Sequence, residues 1–158
     1  MTPEEHIQKL RKDSNEFRSF FNNQLPHIVG IEAVNFYKES FQNEGFTDQV
    51  LEKWQEVKRR INPRTNRAAS SRAILTGDTA DLGRSIDFHP EGTDVKITAD
   101  TRRAGSDKDY AAAHNEGTTT AGRGNKTTIP KRPFIKESET LNKKIEKISA
   151  DKIHNLLK

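Results

Sequence analysis

His114, Asn115 and Glu116 follow one another in the chain, and a histidine beside a carboxylate is a common basis for acid–base or metal chemistry. The surrounding spacing does not extend that pair. A zinc hydrolase needs a second histidine at H-E-x-x-H, or another recognised ligand spacing. Here His6, His27, His89 and His154 are scattered. At the end of a short helix, the same side chains serve to satisfy backbone groups. Gly117 and Gly122 have the gap of a phosphate-cradling G-x-x-x-x-G-K-[ST] loop, but Arg123 stands where lysine belongs. No buried strand leads into that loop and no helix starts after it, so the cradle of N–H groups is not built. Asp78 and Asp81 are two acids on a loop, and no Gly-x-Ser-x-Gly or Ser-His-Asp arrangement occurs. The expectation is a protein that is not an enzyme and takes no metal or cofactor.

Two other groups of residues suit binding. "NPRTNRAASSR", Asn62 to Arg72, carries Arg64, Arg67 and Arg72 with almost nothing to bury. It reads as a surface loop, either solvated or contacting phosphates or a partner. "IPKRPF" is extended, because each proline pushes the residue before it out of the α region. Pro130 and Pro133 stiffen it, Arg132 offers a planar fork for a carboxylate, and Phe134 is a large apolar anchor. Together with His114, Asn115, Glu116 and Gly117, these four residues are candidates for an assembly interface. The other reading of "IPKRPF" is a strand packed on the chain's own core.

These residues must be positioned by a modest fold. The chain has 158 residues, enough for one domain, with 31% hydrophobic and 32% charged residues and a mean hydropathy of −0.93. That supports a compact centre with loops that order against partners. No run approaches the ~18–20 apolar residues of a membrane span. The start "MTPEEHIQKL" has acids where a signal peptide has bases. With no cysteine, disulfides and thiolate metal sites are excluded. A net charge of +4 is a mild basic bias that permits contact with nucleic acid.

The N-terminal third reads as helical. Thr2, Pro3 and Glu5 form a start signal with a capping box, and Ile7, Leu10, Phe17, Phe20 and Phe21 share a stripe in which Ser14 is a polar gap. Pro26 is expected to interrupt. From His27 a second helix follows, with Val29, Ala33, Phe36, Tyr37 and Phe41 on one face and Gly45 as its stop. A third helix is expected from Asp48, carrying Val50, Trp54, Val57 and Ile61 to Asn62-Pro63. "SIDFHPEGTDVKITA" alternates with period two and reads as a hairpin around "PEGT". Asp107 or Asp109 starts a short helix closed by Gly117, Thr118–Thr128 is expected to be flexible, and Ser138 caps a last helix with Leu141, Ile145, Ile148 and Leu156 on one face.

The expected fold class is therefore α+β: a helical N-terminal part, a small antiparallel β-sheet with a hairpin at about 84–100, a short helix at about 107–116 and a long C-terminal helix. An N-terminal helical extension, 1–26, precedes a single domain, 27–158, with loops at 62–73 and 118–128.

The order of motifs adds a resemblance. "FQNEGF" at Phe41–Phe46, Trp54, "RAILTGDTADLGRSI" at Arg72–Ile86, "YAAAHNEG" at Tyr110–Gly117 and "IPKRPF" at Ile129–Phe134 precede a terminal helix. Together they resemble the phage virion-morphogenesis, or tail-completion, family of Mu-like phages, which is similar to the neck proteins of other tailed phages. "LTGDTADLGRSI" stretches that family's T-G-x-L spacing, and residues 1–27 fall outside its pattern. The resemblance implies a structural protein of a tailed phage or prophage that completes the tail and joins it to the head as a homo-oligomeric, hexameric ring. Its implied partners are copies of itself and other phage neck, connector and tail proteins, with transient contact to passing DNA and none to membrane. The implied location is the tail or neck of the virion, and the host cytoplasm during assembly. The alternative from the residues alone is a nucleic-acid-binding accessory protein that uses the basic loop.

Overall fold

The structure, a computed structural model, describes residues 2–62, 70–102 and 109–156. Helix α1 (Pro3–Ser19) starts as the sequence predicts: Glu5 N–H donates to Thr2 Oγ1 at 3.2 Å and Thr2 N–H donates to Glu5 Oε2 at 2.7 Å. Pro26 does not interrupt it. A π-helical turn, Phe20–Gln24, runs directly into α2 (Leu25–Asn43). A proline clashes with the carbonyl four residues back and offers it no N–H. The wider turn, in which Leu25 N–H reaches Phe20 O, absorbs both effects just ahead of Pro26. The result is one rod from Pro3 to Asn43, roughly 60 Å long at ~1.5 Å per residue.

The left-handed residue that ends α2 is Glu44 (φ 50, ψ 42), not Gly45, which begins strand β1. A third helix from Asp48 does not form either. β1 (Gly45–Thr47) pairs antiparallel with β2 (Leu51–Lys53), and helix appears only as one turn, α3 (Lys58–Ile61). The four-three-four spacing of Val50, Trp54, Val57 and Ile61 is coincidental: Trp54 is buried, whereas Val50 and Ile61 are exposed.

Asp48 is instead tied to the far end of the chain. Its Oδ1 accepts from Ser138 Oγ at 2.7 Å and from Thr140 N–H at 2.9 Å, while Ser138 Oγ accepts from Leu141 N–H. The N-terminus of the last helix, α6 (Glu139–Leu156), is thus capped by Ser138 as the sequence predicts and clamped from across the fold as well. The Thr140 N–H, then the Ser138 hydroxyl, lower the Asp48 pKa from 3.8 to about 2. A depressed carboxylate stabilises the fold above its unfolded pKa, and that contribution disappears as pH falls through the folded value. Between pH 3.8 and about 2, Asp48→Asn is therefore expected to lose stability less steeply than wild type. Urea unfolding across that window checks this, and parallel slopes would refute it.

After the described residues resume, a one-turn helix α4 (Asp81–Arg84) leads into β3 (Ile86–Glu91), paired with β4 (Asp94–Ala99) in the expected hairpin. Pro90 and Glu91 pair with Val95 and Asp94, so the turn is tighter than "PEGT" and centres on Gly92-Thr93. The hairpin lies on α2 at Gly30, where a Cβ would sit 2.1 Å from the Phe88 ring. Asp109 Oδ1 receives the Ala111 N–H at the start of α5 (Ala111–Glu116). Asp107, the alternative start, lies outside the described residues.

Thr118–Thr128, expected to be flexible, forms most of a third hairpin, β5 (Thr118–Ala121) with β6 (Thr127–Ile129), although it lacks an apolar anchor. The strands thus sort into three two-stranded antiparallel units, of which β1–β2 and β3–β4 lie on α2. The core joins α2 (Ala33, Val34, Phe36, Tyr37, Phe41) to Phe46, Trp54, Ile74, Leu82, Ile86, Ala111, Phe134 and Leu141. Of the stripe on α6, Leu141 is buried and Ile145 and Ile148 are half-buried, while Leu156 is exposed.

Candidate functional site

The two motifs singled out in the sequence, His114–Gly117 and Pro130–Phe134, lie against each other and form a clasp. Asn115 is its centre. Its Oδ1 accepts from the backbone N–H groups of Phe134 (2.9 Å) and Ile135 (3.0 Å), and its Nδ2 donates to Ile135 O (3.1 Å). An amide carries acceptor and donor side by side, so one asparagine holds two successive N–H groups and a carbonyl where the chain bends at Phe134 and Ile135. Arg132 N–H donates to His114 O at 2.9 Å on the same edge. Gly117 ends α5 with φ +76, and a Cβ there would meet Lys131 N at 2.8 Å. Glycine is therefore needed twice over at that position. Glu116 lies outside the clasp, where the Asn115 amide, followed by Lys131, holds its carboxyl below the usual range.

The other edge of "IPKRPF" is held by the segment after β2. Trp54 Nε1 donates to Pro133 O at 2.8 Å, and the Arg132 Nε and Nη2 donate to Gln55 O at 3.1 and 3.0 Å. Arg132 is only 6% exposed. Burial, then repulsion from Arg59, pushes its pKa down. Its fork therefore grips a carbonyl of its own chain and does not await a partner's carboxylate. Phe134 is 1% exposed and packs 5.4 Å from Phe41, ring centroid to centroid. Of the two readings of "IPKRPF", the structure has the segment packed on its own core, with no face of Phe134 left for a neighbour. Lys136 continues the stitching: its ammonium lies 5.0 Å from the Phe46 ring centroid, and its carbonyl accepts from Tyr37 OH.

Beside the clasp is an open cleft of about 380 Å³, lined by Val57, Leu75, Tyr110, His114, Ile129 and Arg132 among others. His114 Nδ1 is buried with no hydrogen-bond partner among the described residues. Burial, then the Arg132 charge, lowers the pKa of His114 and favours the neutral ring. Glu116, the nearby carboxylate in sequence, pairs with Lys131 and Asn115 instead. The histidine and acid that are close in the chain are thus not brought together as an acid–base pair. Among the described residues, no group of three or more His, Asp or Glu side chains is placed to hold a metal ion.

Of the basic loop, Arg64 and Arg67 lie outside the described residues. Arg72 forms an ion pair with Asp78, and Arg84 one with Asp81, so both acids of that loop are engaged. Sequence reasoning missed Glu44, which gathers this region. Its carboxylate accepts from Arg60 Nη1 at 2.9 Å and from Ile74 N–H at 3.0 Å. Burial opposes the charge, but Arg60 and the Ile74 N–H bring the net pKa down. The Glu-Gly pair that closes "FQNEG" was the available signal.

These features define a small α+β domain in which α2 is backed by the β1–β2 and β3–β4 hairpins, with a polar clasp fixing the segment before the last helix. The chain belongs to the phage virion morphogenesis family, whose model matches residues 42–154. Comparison with curated proteins and with solved structures returns no match. The matched span covers the clasp, the core strands and nearly all of α6. It leaves out α1, the π-helical turn and almost all of α2. Membership places the protein among those that build or assemble phage virions. Among the described residues, no helix is long and apolar enough to cross a membrane.

Proposed function

We propose that the protein is a tail-completion component of a tailed phage of the Mu-like kind, joining tail to head in the neck as a homo-oligomeric, hexameric ring. The observation that carries this is the family match over residues 42–154, which spans the motifs of the resemblance, except Phe41 itself, from the end of α2 to the last helix. The clasp supports it physically. Asn115, Trp54 and Arg132 hold their hydrogen-bond partners within one chain, which makes the subunit a stiff block before assembly, and a preformed block loses less entropy on docking. In this reading the contacts are with other copies and with neck, connector and tail proteins. The location is the virion neck, with the host cytoplasm as the place of assembly, and passing DNA is touched only transiently by the loop at 62–73.

Electron microscopy of the purified chain should show closed rings of uniform subunit number, and labelled protein should sit at the head–tail junction of virions. A chain that stays monomeric at every concentration and is absent from virions would overturn the proposal. Binding to duplex DNA should be weak and collapse with salt, since each phosphate contact contributes a slope of ~0.9 in log K against log salt. Tight duplex binding at physiological salt would favour the nucleic-acid-binding accessory protein instead.

A further inference from the structure

Helix α1 is ordered by its own caps but packed against almost nothing: none of its residues is buried. Even so, it carries large apolar side chains at Ile7, Leu10, Phe17 and, just past its end, Phe21. Ile7 is 51% and Leu10 56% exposed. With Ser14 these positions are spaced three, four, three and four, the a/d repeat of a coiled coil. Phe20, which the sequence places on the same stripe, is buried in the fold; the stripe that remains is narrow, at two positions per seven. A helix that lies on a sheet or in a core shows three or four such positions. Such a seam fits another helix with the same repeat.

The polar flanks indicate which helix that is. Four acids (Glu4, Glu5, Asp13, Glu16) balance four bases (Lys9, Arg11, Lys12, Arg18) in α1, whereas helices that lie on anionic membranes carry a polar face rich in Lys and Arg. Asp13 and Arg18 flank the seam on opposite sides, five residues apart. In two parallel copies, Asp13 of one helix meets Arg18 of the other, and the reverse pair forms by symmetry. An antiparallel pair would set Arg11 against Arg11 and Asp13 against Asp13. We propose that α1 is a self-association helix, pairing in parallel with α1 of a second copy of this chain through Ile7, Leu10, Ser14, Phe17 and Phe21. Ser14 is then the polar a-position residue that sets register at some cost in stability. This helix precedes the family-matched span, so the pairing is an addition to whatever contacts that span makes.

The chain contains no cysteine, so a single introduced thiol reports one position in the full-length protein. Leu10→Cys should cross-link to a second copy under mild oxidation at least about tenfold faster than Lys12→Cys on the opposite face, because pairing raises the local thiol concentration. Adding Asp13→Arg should slow the cross-link, and adding Arg18→Asp to that variant should restore it. Equal slow rates at residues 10 and 12 would overturn the proposal. So would faster cross-linking between Leu10→Cys and Ser14→Cys chains in a mixture than in either alone, since the antiparallel register that sets Arg11 on Arg11 and Asp13 on Asp13 places residue 10 against residue 14. Binding of the wild-type chain to anionic lipid vesicles with no cross-link at residue 10 would identify a membrane as the occupant and overturn it as well.

Discussion

Phe134→Ala is expected to lower folding stability by about 3–5 kcal/mol, the range for truncating a fully buried phenylalanine. The ring is 1% exposed and touches the side of the core where Phe41 bridges to Trp54, with ring centroids 5.4 Å and 5.6 Å apart for the two pairs. Its backbone N–H is meanwhile fixed by Asn115. Neither neighbour can follow a collapsing cavity, because Trp54 is pinned through its indole N–H to Pro133 O and Phe41 sits on the long helical rod. A site that cannot relax gives the upper part of the range. The measurement is urea unfolding of dilute protein, where assembly contributes nothing. A mutant that unfolds like wild type when dilute but fails to form oligomers would mean that Phe134 serves a neighbouring subunit, and the intramolecular packing seen here would be wrong.

What was legible in the sequence divides along a physical line. Elements governed by local chemistry can be read directly. Thr2, Pro3 and Glu5 start α1, Ser138 starts α6, and the alternation from Ile86 to Ala99 forms a hairpin. Elements decided by distant partners cannot. Asp48 has the residue type of a helix cap, and it does cap a helix, but one that begins ninety residues later in the chain. Glu44 adopts a left-handed conformation beside a glycine that would tolerate it better. Its carboxylate, held by Arg60 and the Ile74 N–H, makes that placement worthwhile. Thr118–Thr128 has no apolar residue beyond Ala121 to announce a strand, yet the pairing of Thr118 with Ile129 next to the clasp aligns the two arms. The clasp itself was half legible. The order of "YAAAHNEG" and "IPKRPF" marked both halves, although the chain bends at Phe134 and Ile135 where an extended segment was expected. That the asparagine, rather than the histidine or the arginine, joins them depends on geometry that spacing alone does not contain.

Asn115→Ala should therefore be the most damaging polar substitution in the site. It removes the acceptor shared by the Phe134 and Ile135 N–H groups and the donor to Ile135 O. Leaving a buried donor unsatisfied costs about 1–3 kcal/mol. With two N–H groups orphaned and some water reaching a partly buried site, the expected loss is about 2–4 kcal/mol. Asn115→Asp sharpens the test. A carboxylate still accepts from both N–H groups, but it cannot donate to Ile135 O and it places charge beside Glu116. It should lose less than alanine at neutral pH, and acidification that protonates the introduced carboxylate should narrow its gap to wild type as the donor returns. His114→Ala removes a ring whose Nδ1 has no partner among the described residues and leaves both backbone contacts of the clasp intact, so it should fall well short of Asn115→Ala. Denaturant unfolding of the three variants side by side ranks them. If His114→Ala proved as costly as Asn115→Ala, the histidine would be making a contact that the clasp does not include, and the cleft beside it would become the place to look for its partner.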